Sequence, residues 1–239
     1  MIYTWATATN TGLVRNQNED SVAPQDMGIE TGPFLVGVAD GMGGHVGGEV
    51  ASRLALEAAL KHRGDVVDRV QAANMAVVDA AAEDPSLQGM GTTLVLGWFV
   101  DDAVNIGHVG DSRAYLLRSS DLMQITTDHS LVAEMVARGE ISADEAETHP
   151  YRSVITRALG LQPEVEIDRE RRTLLSGDRV LICSDGLTNM VEADRIRDIL
   201  LEQSHPTDAV WSLVDAANEA GGIDNISVVV VSVNGDTEG

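Results

Sequence analysis

Leu35-Val36-Gly37-Val38-Ala39-Asp40-Gly41-Met42-Gly43-Gly44-His45-Val46-Gly47-Gly48 sets an apolar strand against a glycine-dense loop, with one carboxylate at the join. Val180-Leu181-Ile182-Cys183-Ser184-Asp185-Gly186 echoes it farther along the chain. Asp111 follows Ile106-Gly107-His108-Val109-Gly110 in the same manner, Asp224 precedes the last apolar run, and Glu19-Asp20 stands before Ser21-Val22. Taken singly, an Asp-Gly pair marks a hairpin or a strand exit. Several acids on strand ends, one beside a loop whose glycines admit close backbone approach, point instead to a shared ligand. Carboxylates and carbonyls are hard oxygen donors, suited to Mg²⁺ or Mn²⁺ and ill suited to a thiolate-loving metal.

Between these strand ends the periodicity changes. Val50, Leu54 and Ala58 predict a helix over about 49–62, and Val66, Val70, Ala73, Val77 and Ala80 predict a second over about 65–83. Short β-type runs fill 92–125 and read as an antiparallel meander. Ser130 is placed to cap a helix to about Arg138, and the polar stretch that follows reads as a flap over about 131–151. Strands are expected again at about 165–171 and 179–184, helices at about 192–201 and 207–220, and a buried strand at 226–233. Each helical stripe needs a sheet face to cover, so the expected architecture is α+β: a central antiparallel β-sandwich flanked by helix pairs, four layers αββα, with a flap. Such a sandwich gathers its strand ends, and the acids on them, at one rim.

The bulk properties narrow the function. A length of 239 residues fits a single domain, and 44% hydrophobic with 23% charged residues excludes a disordered or fibrous chain. The net charge of −22 repels phosphate backbones and anionic lipid, so neither nucleic acid nor a membrane is an expected partner. No apolar run approaches the roughly 20 residues of a spanning helix, and Met1 to Gly12 lacks a basic segment followed by an apolar one. The expected location is cytoplasmic. Cys183 is the only cysteine, which excludes an internal disulfide and a thiolate cluster; its apolar neighbours Leu181 and Ile182 predict core packing.

Seven motifs recur in a fixed order: Arg15-Asn16-Gln17-Asn18-Glu19-Asp20-Ser21, Val38-Ala39-Asp40-Gly41-Met42-Gly43-Gly44-His45, Gly91-Thr92-Thr93, Gly110-Asp111-Ser112-Arg113-Ala114-Tyr115, Thr127-Asp128-His129-Ser130, Ser184-Asp185-Gly186-Leu187-Thr188 and Asp224-Asn225-Ile226-Ser227. Together they resemble the metal-dependent protein phosphatase family, type 2C, and the Met-Gly-Gly-His version resembles its compact bacterial branch. The resemblance spans nearly the whole chain. It implies a serine/threonine phosphatase in which a water or hydroxide bridging two divalent cations, Mn²⁺ or Mg²⁺, attacks phosphorus directly. Asp40 would bridge the cations, Asp185 and Asp224 would complete one, and the Gly41 carbonyl would serve the other with support from Glu19 and Asp20. Asp111 and Asp185, with Ser153 of the flap, would form a weaker third site.

Arg15 is implied to grip the substrate phosphate, its guanidinium offering paired donors; the competing reading is a salt bridge with Glu19 or another acid. Where many relatives place a histidine directly after Asp-Gly, this chain has Met42, so His45 is the nearest candidate for the proton donor, against the plainer reading of an exposed loop histidine. His129 reads as local hydrogen bonding at a helix start. The implied partners are phosphorylated proteins, substrates of a serine/threonine kinase, met by a monomer. A phosphatase-like scaffold that binds phosphoproteins without turnover and a phosphatase of small metabolites are the alternatives.

Overall fold

The computed structural model describes residues 1–43 and 47–235. In chain order come strands β1 (Ile2–Asn10), β2 (Asp20–Ala23), β3 (Met27–Glu30) and β4 (Phe34–Met42), then helices α1 (Gly47–Lys61) and α2 (Val66–Glu83). Strands β5 (Gly91–Thr92), β6 (Leu94–Val100), β7 (Ala103–Val109), β8 (Arg113–Arg118) and β9 (Asp121–Gln124) lead to the short helices α3 (Leu131–Ala137) and α4 (Ala143–Glu147). β10 (Asp168–Thr173), β11 (Arg179–Cys183), α5 (Asp185–Thr188), α6 (Ala193–Glu202), α7 (Pro206–Glu219) and β12 (Ile226–Asn234) complete it.

Two antiparallel sheets run in the orders β3-β1-β12-β11-β8-β9 and β10-β7-β6-β4-β2, with β5 on β4. Alternation along each strand divides the apolar residues between two faces. Val229, Val231, Val180 and Ile182 of the first sheet meet Val36, Val38 and Ile106 of the second in the sandwich core. The opposite face of the first sheet, with Val228, Val230 and Leu181, packs under Leu187, Ile196, Ile199, Val210 and Leu213 of α5, α6 and α7. The outer face of the second sheet, with Leu94, Leu96 and Val109, packs under Leu56 of α1 and Val66, Val70 and Val77 of α2. These are the four layers αββα expected from the alternation of strand groups and helix pairs. β12 reads as a continuous valine run because helices cover one of its faces and the second sheet the other.

The start of α2 shows how locally such an element is written. Asp65 accepts from the amides of Val67 and Asp68, and Asp68 returns the bond to the Asp65 amide, a capping box that satisfies amides the helix itself cannot.

Two details differ from the sequence reading. The stretch 92–125 is not one meander: β6 and β7 pair in the second sheet, β8 and β9 in the first. The chain changes sheets at Gly110, whose φ of +113° is open to glycine. Residues 2–10, given no element from sequence, form β1, in which Tyr3 and Trp5 enter the sandwich core and Ala6 and Ala8 face the helices. The threonines at 4, 7 and 9 break up the apolar pattern there. The segment after Ser130 returns on a Ser130–Ile155 bridge, with the Leu131 amide on the Val154 carbonyl at 2.8 Å and the Thr156 amide on the His129 carbonyl at 2.7 Å. That segment carries α3 and α4. Ser130 caps α3 as expected, its hydroxyl accepting from the Ala133 amide.

Candidate metal centre

The acids sit where both sheets end. Asp40 lies near the end of β4 opposite Asp20 of β2, Asp111 follows β7, Asp185 follows β11, and Asp224 precedes β12. Arg15, Glu19, Asp40, Gly41, Asp111, Ser153, Asp185 and Asp224 all line one cleft of about 1000 Å³. Asp20 lies behind that wall, 7% exposed, where its Oδ2 accepts from the Ser184 hydroxyl at 2.8 Å. His45 falls outside the described residues.

Residues that the motifs contain without an evident role hold these acids from behind. The Asp40 amide donates to Thr93 Oγ1 at 3.0 Å, the Asp40 carbonyl accepts from the Thr92 hydroxyl at 2.8 Å, and the Thr93 hydroxyl meets that of Ser112 at 2.8 Å. Asn225 accepts from the Glu19 amide and donates to the carbonyls of Thr11 and Gln17, tying the Arg15–Glu19 segment to the Asp224 loop. Arg113 forks onto Asp128 at 2.7–3.0 Å beside the Asp111 turn. The sequence signal for these partners is motif order alone, since each bond joins residues remote in the chain.

The two Asp-Gly pairs are not turn signals. Neither Gly41 nor Gly186 has a positive φ. A Cβ on Gly41 would collide with the carbonyl oxygens of Gly48 and Glu19, and one on Gly186 with that of Asn225. Glycine is required at both because a second main chain passes against it.

The site is electrostatically frustrated. Burial pushes Asp20 and Asp111 up to about 7, and Asp185 adds to the rise of both. Asp40 is raised well above the usual carboxylate range, first by burial and then by Asp20, Asp185, Asp111 and Asp224. Asp185, within hydrogen-bonding reach of Asp40, is raised by burial and by Asp224. The Oδ1 atoms of Asp20 and Asp185 are buried with no hydrogen-bond partner. Crowded, orphaned carboxylate oxygens with an adjacent carbonyl fit hard divalent cations, which neutralise the repulsion and occupy the free lone pairs.

Arg15 bonds Asp224 Oδ2 at 2.7 Å, with side chains 56% and 34% exposed, so its acid partner is a member of the same cleft. His129 differs from the local reading. Its Nδ1 accepts from the Gly110 amide at 3.0 Å, its Nε2 lies 3.3 Å from Asp168 Oδ2, and its ring stacks on His108 at 4.6 Å. These contacts run to two strand ends, those of β7 and β10, rather than along one helix start. His108, His129 and Asp168 bring one ligand atom each within 4.8 Å of one another. Cys183 is fully buried as expected, its thiol pushed up to about 12 by burial. Among the described residues, no helix is long and apolar enough to cross a membrane.

The family model for protein phosphatase 2C matches residues 15–217. The serine/threonine protein phosphatase PstP of Mycobacterium tuberculosis is 40% identical over 98% of this chain, which spans 45% of that protein's length. The serine/threonine phosphatase stp of Listeria welshimeri is 38% identical over 95% of this chain and 94% of its own. A crystal structure of the PstP catalytic domain in complex with 2 manganese ions matches at a TM-score of 0.85 and 37% identity, covering 98% of this chain and 100% of that one.

Proposed function

This chain belongs to the protein phosphatase 2C family, and from that premise we propose that it is a metal-dependent protein serine/threonine phosphatase acting on phosphoserine and phosphothreonine. The observation that carries the reading is the convergence of Asp40, Asp185 and Asp224 on one cleft with Arg15 on its wall. Asp40 would serve both cations, Asp185 and Asp224 would complete one and the Gly41 carbonyl the other, with Glu19 and Asp20 in support. Asp111, Asp185 and Ser153 line the part of the cleft assigned to a weaker third cation. Mn²⁺ or Mg²⁺ bound there supplies charge neutralisation and lowers the pKa of a shared water, as two-metal hydrolases do.

The protein's own groups do the rest. A phosphomonoester dianion does not enter a bare carboxylate cleft, because like charges in a poorly solvated site repel. Arg15 is the group that receives it. Its bond to Asp224 is solvent-exposed and therefore weak, so the guanidinium can trade a carboxylate for phosphate oxygens at little cost. Thr92 and Thr93 fix the Asp40 main chain, and Asn189 holds Asp185 Oδ2 at 2.9 Å, so neither acid must reorganise as the phosphoryl group transfers. Water attacks phosphorus opposite the leaving serine or threonine oxygen, and no covalent phosphoenzyme forms. His45 remains the candidate proton donor on sequence grounds.

The substrates are phosphoproteins made by a serine/threonine kinase, and the flap wall of the cleft governs their access. The test is a side-by-side assay, with Mn²⁺, of a phosphothreonine peptide, an aryl phosphate and a sugar phosphate. Turnover of the first two alone is the expected result. Peptide binding without turnover favours a scaffold, and preferred sugar phosphate hydrolysis favours a metabolite phosphatase.

A further inference from the structure

Beside the carboxylates, one lip of the cleft is aliphatic and open to solvent. Leu13, Val14 and Ile223 are 69%, 62% and 54% exposed, and Val14 and Ile223 line the same cleft as Arg15 and Asp224. The two loops that carry them are joined: the Leu13 amide donates to the Gly222 carbonyl at 2.7 Å, and Asn225 donates to the carbonyls of Thr11 and Gln17. Asn10 accepts from the Gly12 amide at 2.8 Å, which fixes the turn into Leu13. Three large side chains are thus held in water by a bonded loop pair, and two of them share the cleft wall with the arginine assigned to the phosphate. The core does not need them, since none belongs to the three buried clusters.

We propose that Val14 and Ile223, with Leu13 beside them, form a specificity subsite for a bulky aliphatic residue next to the phosphorylated serine or threonine of the substrate. The inference rests on the phosphatase reading, which places the phosphate at Arg15. Continuity fixes the occupant: Val14 precedes Arg15 and Ile223 precedes Asp224, so a residue adjoining the phosphate in the substrate meets aliphatic surface. An acidic neighbour is disfavoured at this lip, because a carboxylate set against Val14 and Ile223 loses water without gaining a partner. A hydrophobic contact of this size discriminates modestly, by about 10-fold for a side chain differing by a methylene or two.

The experiment reads binding apart from turnover. Fluorescent peptides carrying a non-hydrolysable phosphonate analogue of phosphothreonine, flanked by Leu, Ser or Asp, are titrated by anisotropy in Mn²⁺. The expected Kd for the Leu peptide is about 5- to 10-fold lower than for the Ser peptide, with Asp weakest. In the double variant Val14→Ser/Ile223→Ser the Leu preference falls to near unity, while the Kd of the Ser peptide stays put. Equal Kd for Leu and Ser peptides in the parent, or a preference that survives in the variant, overturns the subsite. Aryl phosphate hydrolysis followed in parallel reports on the phosphatase reading alone. Its absence sinks that reading whatever the peptides show.

Discussion

Two clusters of possible metal ligands stand in this protein, and they differ in how their charges are balanced. His108, His129 and Asp168 form the tighter group, with ligand atoms inside 4.8 Å; both ring nitrogens of His108 are buried without a partner, but His129 and Asp168 are already engaged. The Gly110 amide donates to His129 Nδ1, which leaves the ring proton on Nε2 facing Asp168, and Arg157 bonds Asp168 Oδ1 at 2.9 Å. A metal-binding histidine does the reverse, donating its far N–H to an acceptor. Burial also pushes His108 down to about 3, so its ring is neutral at ordinary pH. The carboxylate rim is looser and unsatisfied: orphaned oxygens on Asp20 and Asp185, and acids raised by burial and by one another. Proximity alone is a poor mark of a cation site. Mutually repelling donors are a better one.

The largest expected effect that would break the contrast lies on the rim. Asp40→Asn should lower Mn²⁺-dependent aryl phosphate hydrolysis by more than about 100-fold, above the 10- to 100-fold cost of outer-shell changes, with the far-ultraviolet dichroism unchanged. Full activity in the folded variant would remove Asp40 from the centre. Next, Mn²⁺ at about 100 times its Kd should stabilise the parent by about 2.7 kcal/mol and raise Tm by about 5–10 °C. The double variant Asp40→Asn/Asp185→Asn should lose that shift although its histidine cluster is intact. A shift that persists would move the cation to the histidines.

The rim also carries a pH signature in chelated protein. Asp20, Asp40 and Asp111 have folded pKa values above their unfolded ones, so between about 4 and 7 the folded state binds more protons than the unfolded state. Stability from these groups is present at low pH and lost as pH rises through the folded values. Melting in EDTA should therefore weaken from pH 5 to pH 8, and Mn²⁺ should flatten that slope; a chelated protein that gains stability over the same range would contradict the crowding.

Smaller effects belong to the histidine cluster. His129→Leu leaves the Gly110 amide unpaired in a buried setting and should cost about 1–3 kcal/mol in chemical denaturation. Asp168→Asn touches a side chain 39% exposed and should cost less than about 1 kcal/mol. A larger loss at Asp168 than at His129 would mean that the cluster is held from its exposed end.

Much of this was legible along the chain because local structure is periodic. The stripe Val66, Val70, Ala73, Val77 shows α2 by itself, and the acid at the end of each apolar run shows the rim. The threonine-interleaved β1 was not legible, because period-2 alternation is hidden when one face takes Thr and Ala. The role of His129 was hidden too, since its partners Gly110 and Asp168 are distant in sequence and its neighbour Asp128 offered a nearer explanation.

The sequence by itself determined the α+β class, the helix stripes, the buried last strand and the set of acids at strand ends, since each is written in spacings of two to four residues or in an ordered series of motifs. Tertiary structure alone decided which sheet β8 joins, that Gly41 and Gly186 are steric necessities, and that Asp20 stands behind the cleft on Ser184 rather than in its wall. Those outcomes depend on segments as far apart as residues 20 and 184 arriving at one place, and only the packing of two sheets face to face brings them there.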